Sequence, residues 1–178
     1  MLRTIKAFFL IGALITFSLS PALAGSSEDL KKADKLRCEG DHKEAIELCT
    51  KIIKTEKEDK MVLRKAYMQR AFNYGRLKKY DKAIADMDMV VELKPDRSSS
   101  YSARARTYRQ SGDIDRAIED FDRSLELREK AGVFEDRGDC YAQKGDRKKA
   151  ISDYERAREL TVLKSSKERM QEKIDALR

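Results

Sequence analysis

The dipeptide Ala-Ile recurs at Ala83-Ile84, Ala117-Ile118 and Ala150-Ile151, spaced by 34 and then 33 residues, with Ala45-Ile46 a further 38 residues upstream. A period near 34 predicts stacked helical units, because a short helix pair cannot bury both of its faces alone. The clearest unit is Tyr101 to Leu127. Tyr101, Arg104, Ala105 and Tyr108 fall at i, i+3, i+4 and i+7, one face of a first helix. Ser111, Gly112 and Asp113 interrupt the pattern, and Ala117, Ile118, Phe121, Ser124 and Leu125 resume it as a second helix. In register with this unit, small residues stand at Ala71, Ala105 and Gly138 and at Ala83, Ala117 and Ala150. Aromatic residues recur at Tyr67, Tyr101 and Phe134, and at Tyr74, Tyr108 and Tyr141. Small residues let helix axes approach to about 8–10 Å, and the rings fill the space beside them.

Four such units are expected, over residues 26–59, 64–97, 98–130 and 131–163 of a domain spanning 25–162. Ser26 and Ser27 are expected to cap the first helix ahead of Glu28 and Asp29. Gly40-Asp41, Gly112-Asp113 and Gly145-Asp146 mark turns inside the units, and Lys78-Lys79 stands where the others have glycine. Pro95 closes the second unit. In residues 164–178, Met170, Ile174 and Leu177, preceded by Leu163, form one apolar stripe among lysines and glutamates, the pattern of a helix that covers the last unit and faces water.

The aromatic, small residue and tyrosine of each first helix, and the alanine and aromatic of each second, resemble the tetratricopeptide repeat family, although its frequent closing proline is matched only by Pro95. The resemblance covers about residues 28 to 162. It implies an all-α, right-handed solenoid of four helix pairs with a C-terminal capping helix. It constrains function weakly, since the repeat is a scaffold that serves many partners.

Ahead of the repeats, MLRTIK is a basic head and AFFLIGALITFSL an apolar run of 13 residues, followed by small residues at Ala22 and Ala24. That run is shorter than the roughly 20 residues needed to span a bilayer. The segment 1–24 therefore reads as a cleavable export signal with its cut between Ala24 and Gly25, which implies a periplasmic or secreted protein; an uncleaved membrane anchor is the alternative. The chain carries 39 basic and 32 acidic side chains, a net charge of +7. Loss of residues 1–24 removes Arg3 and Lys6 and no acid, leaving a modest excess spread over helices. Basic residues alternate with acids and the tyrosines sit at core spacing, so nucleic acid is not an expected partner.

No pattern for catalysis, phosphate cradling or metal ligation is present, and no cofactor is expected; the one histidine, His42, lies at a turn where an exposed aromatic-like contact is expected. Of three cysteines, Cys49 and Cys140 take core positions, and Cys38 and Cys49 lie on adjacent helices where a bridge is conceivable. The recurring pairs Arg70 with Asp86, Arg104 with Asp120 and Arg137 with Asp153, each 16 residues apart, have two readings. A line of arginines could bind an anionic partner, or each arginine could tie the two helices of its own unit; the fork of arginine suits the second.

The resemblance also implies a concave groove lined by first helices. Carried over residue by residue, it is formed by Lys31, Asp34, Arg37 and Cys38; by Lys65, Met68, Gln69, Phe72 and Arg76; by Ser99, Ser102, Arg106, Arg109 and Gln110; and by Glu135, Asp136, Asp139 and Gln143. Such a groove is basic in its middle and acidic at its C-terminal end, with Met68 and Phe72 as apolar anchors. The lysine and asparagine positions of the family's carboxylate clamp are filled by Met68 and Phe72, and by Leu30 and Asp34, which disfavours that specialised use. The expected function is a non-enzymatic module that binds a peptide or partner subunit in the groove. The alternative is a structural or self-associating subunit of an envelope assembly using its convex face or ends.

Overall fold

The computed structural model describes residues 21–56 and 59–178, with side chains from Gly25 onward. The export segment up to residue 20 lies outside the described residues, as do two residues of the charged loop between Thr55 and Lys60. The described residues form the helices α1 (Pro21–Glu39), α2 (His42–Thr55), α3 (Lys60–Arg76), α4 (Tyr80–Leu93), α5 (Ser98–Ser111), α6 (Ile114–Leu127), α7 (Ala131–Gln143), α8 (Arg147–Leu160) and α9 (Lys164–Asp175), with no strand among them. Each helix packs on the next, and first helices also meet one another, α1 on α3 and α5 on α7. The described residues thus form four consecutive helix pairs and a capping helix.

The core follows the repeat. Ala45, Ala83, Ala105, Ala117 and Ala150 are wholly buried, and the second helices set Cys49, Met87, Phe121 and Tyr154 against the small residues of the first. One continuous cluster runs from Ala105 to Met170 and Ile174, so α9 closes the apolar end of the last pair. Two expectations change here. Leu163 is exposed because it precedes α9 in extended backbone, outside the helical stripe. At the other end the described part of α1 already includes Pro21 to Gly25, so Ser26 is buried within the helix and is not its cap.

Gly138 shows how tightly the last pair is packed. A Cβ built there would lie 2.7 Å from the Tyr154 ring. That ring is fixed by its hydroxyl, which donates to Asp139 Oδ1 at 2.9 Å. Gly138→Ala is therefore expected to destabilise the fold by about 1–2 kcal/mol despite its better helix propensity. Urea unfolding followed by circular dichroism measures this.

The first helices end alike. Asp41, Lys79, Asp113 and Asp146 each send a backbone N–H to a carbonyl five residues back, at 2.8–3.0 Å, after a residue of positive φ. That residue is glycine in three units and Lys78 (φ 57°) in the second. A lysine in this conformation is strained where glycine is not. Lys78→Gly is expected to stabilise by about 0.5–1 kcal/mol, less than the relieved strain because glycine gains freedom in the unfolded chain. The same denaturation experiment checks it.

The recurring arginines lie between helices. Arg70 donates from Nε and Nη2 to both carboxylate oxygens of Asp86 at 2.9 and 2.7 Å. Arg104 does the same to Asp120 at 2.7 and 2.8 Å, and Arg137 to Asp153 at 2.8 and 2.7 Å. The remaining nitrogen reaches back to the preceding unit: Arg70 Nη1 to Thr50 at 3.0 Å, Arg104 Nη1 to Asp88 at 2.8 Å and Arg137 Nη1 to Asp122 at 2.6 Å. Each arginine thus joins three helices. It also lies within 6 Å of the rings three residues before and four after it. The carboxylates raise the pKa of all three guanidiniums against the opposing effect of burial.

Candidate functional site: the face of the first helices

The face formed by α1, α3, α5, α7 and α9 divides into two halves. In the C-terminal half, charges pair between neighbouring first helices. Arg106 Nε donates to Asp136 at 2.7 Å, and Arg109 reaches Asp136 at 3.2 Å and Asp139 at 3.3 Å. The capping helix continues the series: Arg169 grips Glu135 through two nitrogens at 2.9 and 3.0 Å, and Lys173 contacts Glu135 at 3.0 Å and Asp139 at 2.7 Å. The acidic end expected for the groove is thus internally neutralised, because α9 places two cations where an incoming ligand would have to bring them. Ser102 also departs from expectation. It is buried, and its hydroxyl turns back to the Ser99 carbonyl at 3.4 Å; a short side chain that satisfies itself on the backbone can sit at an inward position although it is polar.

Glu135 records the strength of this pairing. Burial pushes its carboxyl up, but the hydrogen bonds from Arg169 and Lys173 outweigh it, so its pKa lies below the ordinary glutamate value of 4.5. A carboxylate with a lowered folded pKa stabilises fully above its unfolded value, and that contribution is lost as the pH falls through the folded value. Docking of α9 is therefore expected to weaken below about pH 4.5. The methyl resonance of Met170, buried on the inner face of α9, reports it by NMR, and Glu135→Gln should flatten the pH dependence.

The N-terminal half is organised differently. Met68, Gln69 and Phe72 of α3 face Arg37 of α1 and Arg106 and Gln110 of α5 across a shallow cavity of about 410 Å³, with Ala71, Met87, Ala103 and Thr107 completing it. Phe72 is 46% exposed, unusual for a phenylalanine. The Arg37 guanidinium lies 5.1 Å from the Phe72 ring centroid and is itself held by Asp34 at 2.7 Å. Lys65 and Arg76 are exposed on α3 with no partner among the described residues. The cavity joins the expected Met68, Gln69, Phe72, Arg106 and Gln110, whereas Glu135, Asp136 and Asp139 belong to the paired half. The resemblance did not supply Met87, Ala103 and Thr107. Met87 comes from a second helix, at the place that Phe121 takes in the next unit.

His42 has a role different from the exposed contact expected. Its Nδ1 lies 2.8 Å from Oδ1 of Asn73, which is wholly buried and donates from Nδ2 to the Gln69 carbonyl at 2.8 Å. The histidine therefore joins the first two units by satisfying a buried amide. The three cysteines are free thiols. Burial raises Cys49 to about 12 and Cys140 to about 11, while Cys38 is exposed. Native alkylation with mass mapping is expected to label Cys38 alone, and all three after denaturation. Among the described residues no group of three or more metal-ligating side chains is assembled, and no helix is long and apolar enough to cross a membrane.

Solved structures share this fold. MamA from Desulfovibrio magneticus RS-1 superposes with a TM-score of 0.67 at 20% identity, covering 76% of this chain and 75% of that one. Another crystal structure of MamA gives a TM-score of 0.67 at 19% identity over 83% and 81% of the two chains. The first tetratricopeptide domain of Spaghetti (RPAP3), bound to the HSP90 peptide SRMEEVD, gives 0.59 at 23% identity over 67% of this chain and 93% of that one. No curated protein matches the sequence. Two family models, each described as tetratricopeptide repeat, match residues 62–130 and 102–161 and together span more than half of the chain. With the helix pairs, buried small residues and stacked rings described above, these matches make the chain a member of the tetratricopeptide repeat family.

Proposed function

We propose that this protein is a non-enzymatic interaction module that docks a peptide or partner subunit on the face of α1, α3 and α5. The observation that carries the reading is the half-exposed Phe72 beside Met68, over an open cavity on a helix that also carries the exposed Lys65 and Arg76, which have no acidic partner among the described residues. The paired C-terminal half offers nothing comparable. The solved Spaghetti domain bound to a peptide supports this use of the fold. A partner suited to the site presents an apolar side chain with acidic neighbours.

The test is a crosslinking pull-down with the intact protein and with Phe72→Glu, after circular dichroism has shown that both are folded. Recovery of the partner is expected to fall at least about tenfold, the loss that follows when a charge is placed in an apolar anchor site. Equal recovery sinks the assignment. We place this activity in the periplasm or outside the cell, on the strength of the basic head, apolar run and Ala22 and Ala24. Mass spectrometry of the protein from the cell envelope tests that, with Gly25 as the expected first residue. A self-associating role draws support from Leu160, Val162 and Leu163, exposed together where α8 meets α9. Light scattering over a concentration series distinguishes it, since a constant monomer mass rules it out.

A further inference from the structure

The turns inside the helix pairs share one edge of the solenoid. His42, at the start of α2, meets Asn73 near the end of α3 at 2.8 Å. A Cβ built on Gly75 would lie 3.2 Å from Gln110 Oε1, which puts the end of α3 beside the end of α5. Lys144, just after α7, pairs with Asp115 in the first turn of α6. The four turns therefore follow one another along that edge.

The charge on this edge is one-sided. Residues 78–82 set Lys78, Lys79 and Lys82 against Asp81 alone, and residues 144–149 set four basic residues against Asp146 alone. The turn between them cancels itself, since Asp113 takes Arg116 and Asp115 takes Lys144, and Asp146 is already held by Lys149. Lys78, Lys79, Lys82, Arg147 and Lys148 are exposed and have no carboxylate partner among the described residues. The opposite edge, where one pair passes to the next, carries one excess positive charge in each of residues 94–97 and 128–130 and none in 161–163. Between the helices arginines meet aspartates, and the cations of α9 meet acids of α7; these five cations meet none. Lys78 adds a conformational feature. It holds φ 57°, where three other units have glycine, and a lysine there is strained. Strain kept at one residue of a repeat marks a side chain that is used.

We propose that the edge of the turns, through Lys78, Lys79, Lys82, Arg147 and Lys148, docks on the surface of an anionic lipid bilayer. Lysine is a point charge on a flexible stem, suited to a diffuse layer of negative head groups rather than to one shaped partner. Tyr80, partly exposed between Lys79 and Asp81, is a residue type suited to the head-group region. The docking does not depend on the Phe72 cavity binding a peptide.

The test is flotation of the full chain with vesicles of phosphatidylcholine alone and of phosphatidylcholine and phosphatidylglycerol in equal parts. The neutral vesicles measure whatever the apolar run near the N-terminus contributes, so the reading is the ratio of the two partitions. The parent is expected to favour the anionic vesicles at least about a hundredfold. Each basic residue near such a surface is worth about fivefold, so Lys78→Gly with Lys148→Gln is expected to lower the ratio about 25-fold. Lys78→Gly alone is expected to lower it about fivefold while the protein gains stability, which separates lost docking from unfolding. Lys94→Gln with Arg128→Gln removes the same charge from the opposite edge and is expected to change the ratio by less than about twofold. Equal partition into the two kinds of vesicle overturns the proposal, and so does an equal loss from the two double variants. Retention on polyglutamate with no preference for anionic vesicles assigns the edge to an acidic polymer and overturns it as well.

Discussion

Phe121→Ala is expected to lower the free energy of unfolding by about 3–5 kcal/mol, the range for truncating a buried phenylalanine. Phe121 has no exposed surface and lies in the cluster that runs from Ala105 through α7 and α8 to Met170 and Ile174. Its loss therefore weakens the α5–α6 pair and the contact of that pair with the next. In a linear array stability is a sum over units and the interfaces between neighbours, so a defect in a central unit weakens both halves. The expected loss is a large share of the 5–15 kcal/mol typical of a domain. Urea unfolding should show either a shifted midpoint or a split transition. Cys49→Ala, at the equivalent place in the terminal unit, is expected to cost much less, because a thiol is small and the unit has one packing neighbour. Equal losses from the two changes would contradict a stability set by the central interfaces.

Asp120→Ala is expected to cost about 3 kcal/mol, near the lower end for removing one partner of a buried pair. The carboxylate is nearly buried and takes two hydrogen bonds from Arg104. Without it the guanidinium stays between Tyr101 and Tyr108, and only Asp88 remains to it. That surviving partner keeps the cost near the low end. Arg104→Met combined with Asp120→Leu should be far less damaging than the sum of the single changes, since replacing both charges with apolar groups leaves nothing unpaired. A double-mutant cycle measures the coupling. A value near zero would remove the tie between helices and return Arg104 to the solvent-facing residues.

Much of this was legible beforehand. The 34-residue spacing and the small and aromatic positions follow from local rules: a side chain's place on a helix repeats every 3.6 residues, and a glycine or a strained lysine is needed to reverse the chain. Hence Gly112, Lys78 and Pro95 could be assigned to turns and ends, and Ala105, Tyr108 and Phe121 to packing. The pairs from Arg70 to Arg137 could be suspected from their constant 16-residue offset. The passage of α1 through Ala24 and Gly25 could not, because two serines followed by acids are an equally acceptable helix entry.

The face of the first helices was decided by tertiary structure. Periodicity says which residues point outward and nothing about which of them meet. Glu135 and Asp139 looked available for a ligand until α9, about 30 residues later, was seen to place Arg169 and Lys173 on them. By itself the sequence determined the helix pairs and their stacking, because those rest on short-range spacing and side-chain volume. Which charges cancel and which are left to act depends on distances between helices, and these exist only once the solenoid has closed.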